Sequence, residues 1–311
     1  MFQDKKIAVV VPAFKEEKHI DKVILGIPDF IDHIIVVDDH SPDDTFTVAQ
    51  SVQDDRLVVI RHEVNQGVGG SIMTAHKHAL ELGSDVNVVM AGDNQMDPAF
   101  LEKLISPVTS GEFGFAKANR FFSTNSFKGM PRYRVFGNVV LTFLTKASSG
   151  YWHLFDPQNG YTAISKEALN QIPLERISKR YDFENDILIW LSINDVRATD
   201  VSIPARYADE TSTISLRKTI PHLLGTLHRG FWRRMLLKYV LKSFSAIALL
   251  FFSGLFLFWV GMFVGIFAII NSIGPQSASA GTILLAVVPA MTGVQLLIQA
   301  LVLDIQNSPG S

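Results

Sequence analysis

The chain contains no cysteine, so disulfides and thiolate metal sites are excluded. Acidic residues are missing from Thr211 to Lys242, and basic residues are missing beyond Lys242. All 28 lysines and arginines lie at or before that point, and Asp304 is the sole charge after it. A chain of 311 residues thus has a charged head and an almost uncharged tail. That length suits one large α/β domain plus a membrane part. The net charge of −2 carries no nucleic-acid signature, and no such partner is expected. The apolar run after Lys6 is too short for a signal-peptide core and lacks a small-residue cleavage site, so the head is expected in the cytoplasm. Glycine is missing from the turn after that run, Val11 to Glu17. A dinucleotide-binding enzyme needs glycine there for backbone to approach a pyrophosphate, which argues against a nicotinamide or flavin enzyme.

Short apolar, β-branched runs occur at Ile7–Val11, His33–Asp38, Leu57–His62 and Val86–Ala91. Helical patterns separate them at Glu16–Gly26, Asp44–Val52 and Gly70–Leu82, and Arg197–Ile203 reads as the last strand. Such alternation predicts a mostly parallel, Rossmann-like sheet with helices on both faces. Ligands then bind beyond the carboxyl ends of the strands. Polar clusters sit there four times, at Pro12–Glu17, Asp38–Asp44, Asn65–Gly70 and Asp93–Asp97.

After the second strand, Asp39 is placed to accept hydrogen bonds from a base edge or ribose, while Ser41 or Asp43 suits a helix cap. After the fourth, Asp93 and Gln95 supply hard oxygen donors suited to Mg²⁺ or Mn²⁺ shared with substrate phosphates. Asp97-Pro98 reads instead as a cap followed by a first helical residue. Glu184 and Asp186 sit at a helix start, where the dipole alone favours acids. The scattered His40, His62, His76, His78 and His153 lack metal-ligand spacing and read as surface or core residues.

Ser243 to Ile270 and Gly281 to Leu303 are long uncharged stretches, separated by a polar turn. Each is long enough to span a bilayer, which predicts a two-helix hairpin over 243–304, with a kink at Pro289. The flank 211–242 carries Arg217, Lys218, Arg229, Arg233, Arg234, Lys238 and Lys242. The positive-inside rule puts that flank in the cytoplasm. Leu216, Ile220, Leu223, Leu227, Phe231, Met235 and Tyr239 recur at helical spacing, which predicts amphipathic helices in the headgroup layer contacting membrane lipids. Pro221 suits a first turn, so one helix is expected to end near Thr219 and another to begin there.

The order VPAFKEE, VVDDHSPDDT, NQGVGG, GDNQMDP, ANR, DPQNGY and FEND resembles the inverting glycosyltransferases of family two, over about residues 5–210. With a C-terminal hairpin the chain is similar to their polyprenyl-phosphate branch. The resemblance implies a GT-A fold for residues 1–210. It further implies Pro12, Phe14, Glu16 and Asp39 in a nucleoside pocket, and Asp93 and Gln95 at a metal. Ala91 replaces the first carboxylate of the family's D-x-D-x-Q pattern. Arg120 and Arg134 match basic positions near the acceptor and donor phosphates, Asp156 opens an element beside the site, and Arg206 follows the last strand. The family's usual lysine soon after that arginine is absent. The implied reaction moves a sugar from a nucleotide-sugar, a UDP-hexose first and GDP-mannose second, to polyprenyl phosphate. The implied setting is the inner face of the cell membrane, in envelope glycan synthesis or modification. Relatives of this form make a homotetramer reasonable. Two rival readings are extension of a lipid-diphosphate-linked sugar and a non-catalytic nucleotide-sugar-binding scaffold. A processive synthase is disfavoured because no Q-x-x-R-W element occurs.

Overall fold

The structure is a computed structural model that describes residues 1–120, 132–204, 216–272 and 278–310, with the side chains of 132–136, 138 and 216–219 outside that description. It forms two compact units, Met1–Trp232 and Arg233–Pro309.

In the first unit, β-branched runs form β1 (Ile7–Ala13), β2 (His33–Asp38), β3 (Leu57–Arg61) and β4 (Val86–Val89). They are joined by α1 (Ile20–Leu25), α2 (Thr45–Ser51) and α3 (Val68–Glu81). Then come α4 (Leu101–Thr109), β5 (Phe115–Asn119), α5 (Arg132–Ser149), β6 (Thr162–Ser165), α6 (Lys166–Gln171), α7 (Phe183–Ile193), β7 (Ala198–Ser202) and α8 (Leu216–Arg234). The seven strands lie in the order β3-β2-β1-β4-β6-β5-β7. All neighbours are parallel except β6, which runs antiparallel to both β4 and β5. Strands β1 and β2 are almost wholly buried, as their continuous Ile and Val demand of a sheet covered on both faces. Ile20, Val23 and Ile24 of α1, with Leu101, Leu104 and Ile105 of α4, complete that core.

Helix α8 runs unbroken through Pro221, which corrects the expected break near Thr219. Leu223 and Leu227 of its apolar stripe are buried. Gly230 meets α7 so closely that an added Cβ would lie 2.2 Å from Ile189 Cδ1. Thr226 Oγ1 donates to Asp182 Oδ2 at 2.6 Å. Part of the stripe read as membrane-facing therefore packs on the head, while Ile220 and Leu224 are exposed. Periodicity identifies a buried face without saying what buries it.

In the second unit, Met235–Lys242 winds as a π-helix. Two apolar helices follow, α9 (Ala246–Ser272) and α10 (Ala280–Gln306), each long enough to cross a membrane. Helix α10 continues through Pro289. Besides Ala248, the buried small residues of α9 are Gly254, Gly261 and Ala268, and those of α10 are Ala286, Gly293 and Ala300. Both sets recur every seven residues, the period that keeps one seam between two helices. An added Cβ at Gly261 would lie 2.5 Å from both Ala286 O and Ala290 N. Below this seam Arg234 and Asp304, both buried, pair through Nη1–Oδ1 at 2.6 Å and Nη2–Oδ2 at 3.0 Å. Tyr239 donates its hydroxyl to the same carboxylate.

Candidate active site

The carboxyl ends of β1, β2, β3 and β4 open into four loops that are tied to one another. Lys15 N donates to Ser41 Oγ at 3.1 Å, and Glu16 N to Thr45 Oγ1 at 2.8 Å. Gly92 N donates to Pro12 O at 3.2 Å. A Cβ at Gly92 would lie 3.3 Å from Glu16 Cγ, so the β4 loop rests directly on the β1 loop. Phe14 projects from this edge, 43% exposed. Lys15, His40, Asn94 and Asp156 all hold positive φ without being glycine. Such backbone is uncommon and clusters where a scaffold over-determines its loops.

Asp39 is 3% exposed. Its Oδ1 accepts from Gln66 N at 2.8 Å and from the His62 ring at 2.8 Å, and its Oδ2 accepts from Gly67 N at 2.7 Å. The carboxylate expected to meet a base or ribose also ties the Asn65–Gly70 loop to β2. His62, expected as a surface or core residue, is buried, and its ring bridges Asp39 to Thr74 Oγ1 at 3.0 Å. The glycines of that loop serve packing. Gly67 has φ +87°, and an added Cβ at Gly67 or Gly69 would lie 2.4 Å from the carbonyl oxygens of Lys179 and Ser178. The expected cap is present at Asp97, whose Oδ1 accepts from Ala99 N at 3.0 Å just after Pro98. At α2 the capping position falls instead on Asp44, which makes no side-chain cap bond, while Asp43 Oδ1, one residue earlier, accepts from Thr45 N at 3.3 Å.

In the β4 loop, Asp93 Oδ1 accepts from Gln95 N at 3.0 Å, which closes a tight Asx-type turn. Among the described residues no group of three or more histidine or acidic side chains converges on one point. The expected donor set is one carboxylate, of Asp93, and one amide, of Gln95. It fits a hard divalent ion that takes the rest of its shell from substrate phosphate oxygens and water.

Arg120, at the end of β5, and Asp156 form a bidentate pair, with Nε–Oδ2 at 2.7 Å and Nη2–Oδ1 at 2.9 Å. Asp156 is buried, whereas the Arg120 side chain is 41% exposed. Burial works to raise the Asp156 carboxyl, but the Arg120 hydrogen bonds and charge outweigh it and hold the carboxyl below its ordinary value. Lys117 was not anticipated. It lies 1% exposed in β5, and its ammonium donates to Phe155 O and Asp156 O, both at 2.5 Å. Asp200 Oδ1 stands 3.6 Å away. Burial lowers the Lys117 ammonium, against the pull of Asp200 and Asp156. Gly160, in the same loop, packs against Glu184, whose Oε1 would lie 3.1 Å from an added Cβ. Burial raises the Glu184 carboxyl to about 8, against the opposing effect of Lys117. Tyr161 Oη donates to Asp97 O at 3.1 Å, which joins this loop to the β4 loop. Asp186 and Asp182, at the start of α7, instead accept from Ser178 N at 3.0 Å and Ser178 Oγ at 2.5 Å. Arg206 lies outside the described residues, as does the side chain of Arg134 on α5.

A mixed sheet of this order, with its site on linked strand-end loops, is a GT-A-like glycosyltransferase fold. The chain belongs to glycosyl transferase family 2, whose pattern matches residues 8–172, and it is a glycosyltransferase. It is 30% identical over 250 residues, 76% of this chain and 97% of the relative, to the UDP-N-acetylglucosamine–dolichyl-phosphate N-acetylglucosaminyltransferase of Methanococcus voltae. It is 25% identical to the polyprenol monophosphomannose synthase of Mycolicibacterium smegmatis, over 68% of this chain and 80% of that one. Among solved structures, glucosyl-3-phosphoglycerate synthase of Mycobacterium tuberculosis, crystallised with Mn²⁺, UDP-glucose and phosphoglyceric acid, shares the fold. The TM-score is 0.57 at 22% identity, covering 74% of this chain and 80% of that one.

Proposed function

We propose that the protein transfers a hexose or N-acetylhexosamine from a UDP-sugar to polyprenyl phosphate, with inversion, at the cytoplasmic face of the cell membrane. The observation that carries this reading is Arg120, held bidentate by buried Asp156 at the carboxyl edge of the sheet. A guanidinium held in this way and left part-exposed is suited to orienting a phosphate. The two apolar helices suit an acceptor that resides in lipid. The relatives named above use dolichyl or polyprenyl phosphate and supply the acceptor class. The relative that aligns over 97% of its own length favours a UDP-linked donor over GDP-mannose.

A phosphate monoester is largely ionised near pH 7. The site therefore need not remove a proton from the nucleophile, only position it and balance its charge against the donor's. Pro12, Phe14 and Glu16 on the β1 loop would line the nucleoside pocket, with the Asn65–Gly70 loop that Asp39 anchors forming its wall. Asp93 and Gln95 would hold Mg²⁺ or Mn²⁺, which offsets the charge that builds on the departing diphosphate. Arg120, with Arg134 and Arg206 from segments whose side chains lie outside the description, would supply the remaining positive charge. The phosphate oxygen attacks the anomeric carbon in line, and the nucleoside diphosphate leaves from the opposite face.

Glu184 favours a second reading. A hydroxyl acceptor requires a base, and a half-buried carboxyl raised to about 8 beside Gly160 would suit proton transfer near neutral pH. Purified protein in bilayers should convert UDP-N-acetylglucosamine or UDP-glucose and polyprenyl phosphate to a lipid-phosphate sugar. Activity should vanish in excess EDTA and in Asp93→Ala, with prenyl alcohol inert. Transfer to a lipid-diphosphate-linked sugar but not to polyprenyl phosphate would favour the second reading, and no transfer to either would favour a non-catalytic scaffold.

A further inference from the structure

Lysine is among the residues least often buried in full, because removing an ammonium from water is costly. Lys117 is 1% exposed at the middle of β5, between Ala116 and Ala118. Its compensation is local and geometric. An ammonium has three donors, and three carbonyl oxygens surround this one, of Phe155 and Asp156 at 2.5 Å and of Ala118 at 3.4 Å. The first two belong to a segment 38 and 39 residues further along the chain. Asp200, the register partner of Lys117 on β7, holds the same segment: its Oδ1 stands 3.6 Å from the ammonium and its Oδ2 accepts from Phe155 N at 2.6 Å. Asp200 also accepts from Asn119 Nδ2 at 3.1 Å.

What Lys117 grips is a strained position. Asp156 has φ +49°, a left-handed conformation that a residue with a Cβ adopts only when its surroundings impose it. That conformation turns the Asp156 carboxylate back onto the end of β5. There it accepts from Arg120 N at 3.2 Å as well as from the guanidinium. Asn159 Nδ2 adds a bond at 3.3 Å. The chain of cause therefore runs from the buried ammonium, through two carbonyls and one strained backbone position, to the aim of a part-exposed arginine.

We infer that Lys117 is a positioning residue for sugar transfer: its buried ammonium clamps the Phe155 and Asp156 carbonyls and so fixes the guanidinium of Arg120 in its phosphate-orienting pose. The inference deepens the proposed function and rests on it for the identity of the phosphate. Lys117 touches neither substrate in this scheme.

The test uses the full chain in bilayers. Lys117→Met keeps the length of the side chain and removes the donors. Lys117→Gln restores a shorter amide donor and serves if the methionine variant does not fold. Two readouts are independent of the reaction. Hydrogen exchange of the 155–161 backbone should accelerate, and phenylglyoxal should modify Arg120 faster. The third is a double-mutant cycle with Arg120→Gln. Alone, Lys117→Met should lower kcat/KM for polyprenyl phosphate by at least about tenfold, and in the Arg120→Gln background by less than about twofold. Lys117→Gln should recover part of the loss. Unchanged loop exchange or unchanged Arg120 reactivity overturns the inference. Multiplicative losses in the cycle also overturn it, because a general loss of stability would act regardless of Arg120. If the unaltered protein transfers no sugar to polyprenyl phosphate, the functional reading falls, while exchange and arginine reactivity still decide the clamp.

Discussion

His76 sits 1% exposed on α3, with its ring nitrogen 3.2 Å from Asn87 Nδ2, and Asn87 in turn accepts from Ser84 Oγ. Burial lowers this imidazole from 6.5 to about 3, so it folds neutral. As pH falls from the ordinary histidine value toward about 3, the unfolded chain binds a proton that the folded chain refuses. The stability contributed by a neutral His76 is thus complete above about pH 6.5 and is lost on acidification, by up to about 1.4 kcal/mol per pH unit. Denaturant unfolding at pH 7 and pH 5 should show a smaller difference for His76→Gln than for the unaltered chain. An equal difference would place the acid sensitivity elsewhere. Sequence pattern finds some residues of this kind and misses others, for a physical reason. Asp93 and Gln95 stand out in the sequence because they follow directly on an apolar strand. Lys117 was not, because its burial is compensated by carbonyls of a distant loop, and no local pattern encodes them. Asp39 was located correctly at a strand end, but its partners, the amides of Gln66 and Gly67, depend on how the next loop folds.

The hairpin helices illustrate what a seam of small residues does. Without a hydrophobic drive between helices in lipid, close backbone approach supplies the attraction. Gly261 and Gly265 lie one turn apart on α9, yet an added Cβ meets Ala286 O at 2.5 Å from the first and only Ala286 Cβ at 3.7 Å from the second. Gly261→Ala should therefore destabilise the hairpin by about 1–3 kcal/mol through overpacking, whereas Gly265→Ala should be near neutral. Unfolding of each variant by denaturing detergent measures the contrast, and equal effects would refute the seam. The four parallel strands and both apolar helices were visible as runs of apolar residues. Strand β6 was not, because its four residues, Thr162–Ser165, carry little periodicity and gain their place by pairing antiparallel with β4 and β5. Helix α8 was visible as a stripe, but Gly230 against Ile189 shows that the stripe belongs partly to the head.

For the molecule as a whole, the seven basic residues before α9 and the absence of charge between the two apolar helices set the expected orientation. A cysteine at Ala278 should react with an impermeant thiol reagent added outside intact cells, and one at Ser51 should not. Reversed labelling would put the head on the wrong side for a cytoplasmic nucleotide-sugar. Composition divides the chain at Lys242, whereas the second compact unit begins at Arg233 and includes Arg233, Arg234, Lys238 and Lys242. The pairing of Asp304 with Arg234 across 70 residues was not, since it depends on where the second apolar helix returns. That pairing has a consequence for synthesis. At about 5–20 residues per second, Asp304 is added roughly 4–14 s after Arg234. Until then the carboxylate that the Arg234 guanidinium and the Tyr239 hydroxyl share in the folded chain is not yet made. A chain stalled within α10 would therefore lack this pairing, which only synthesis of the second apolar helix completes.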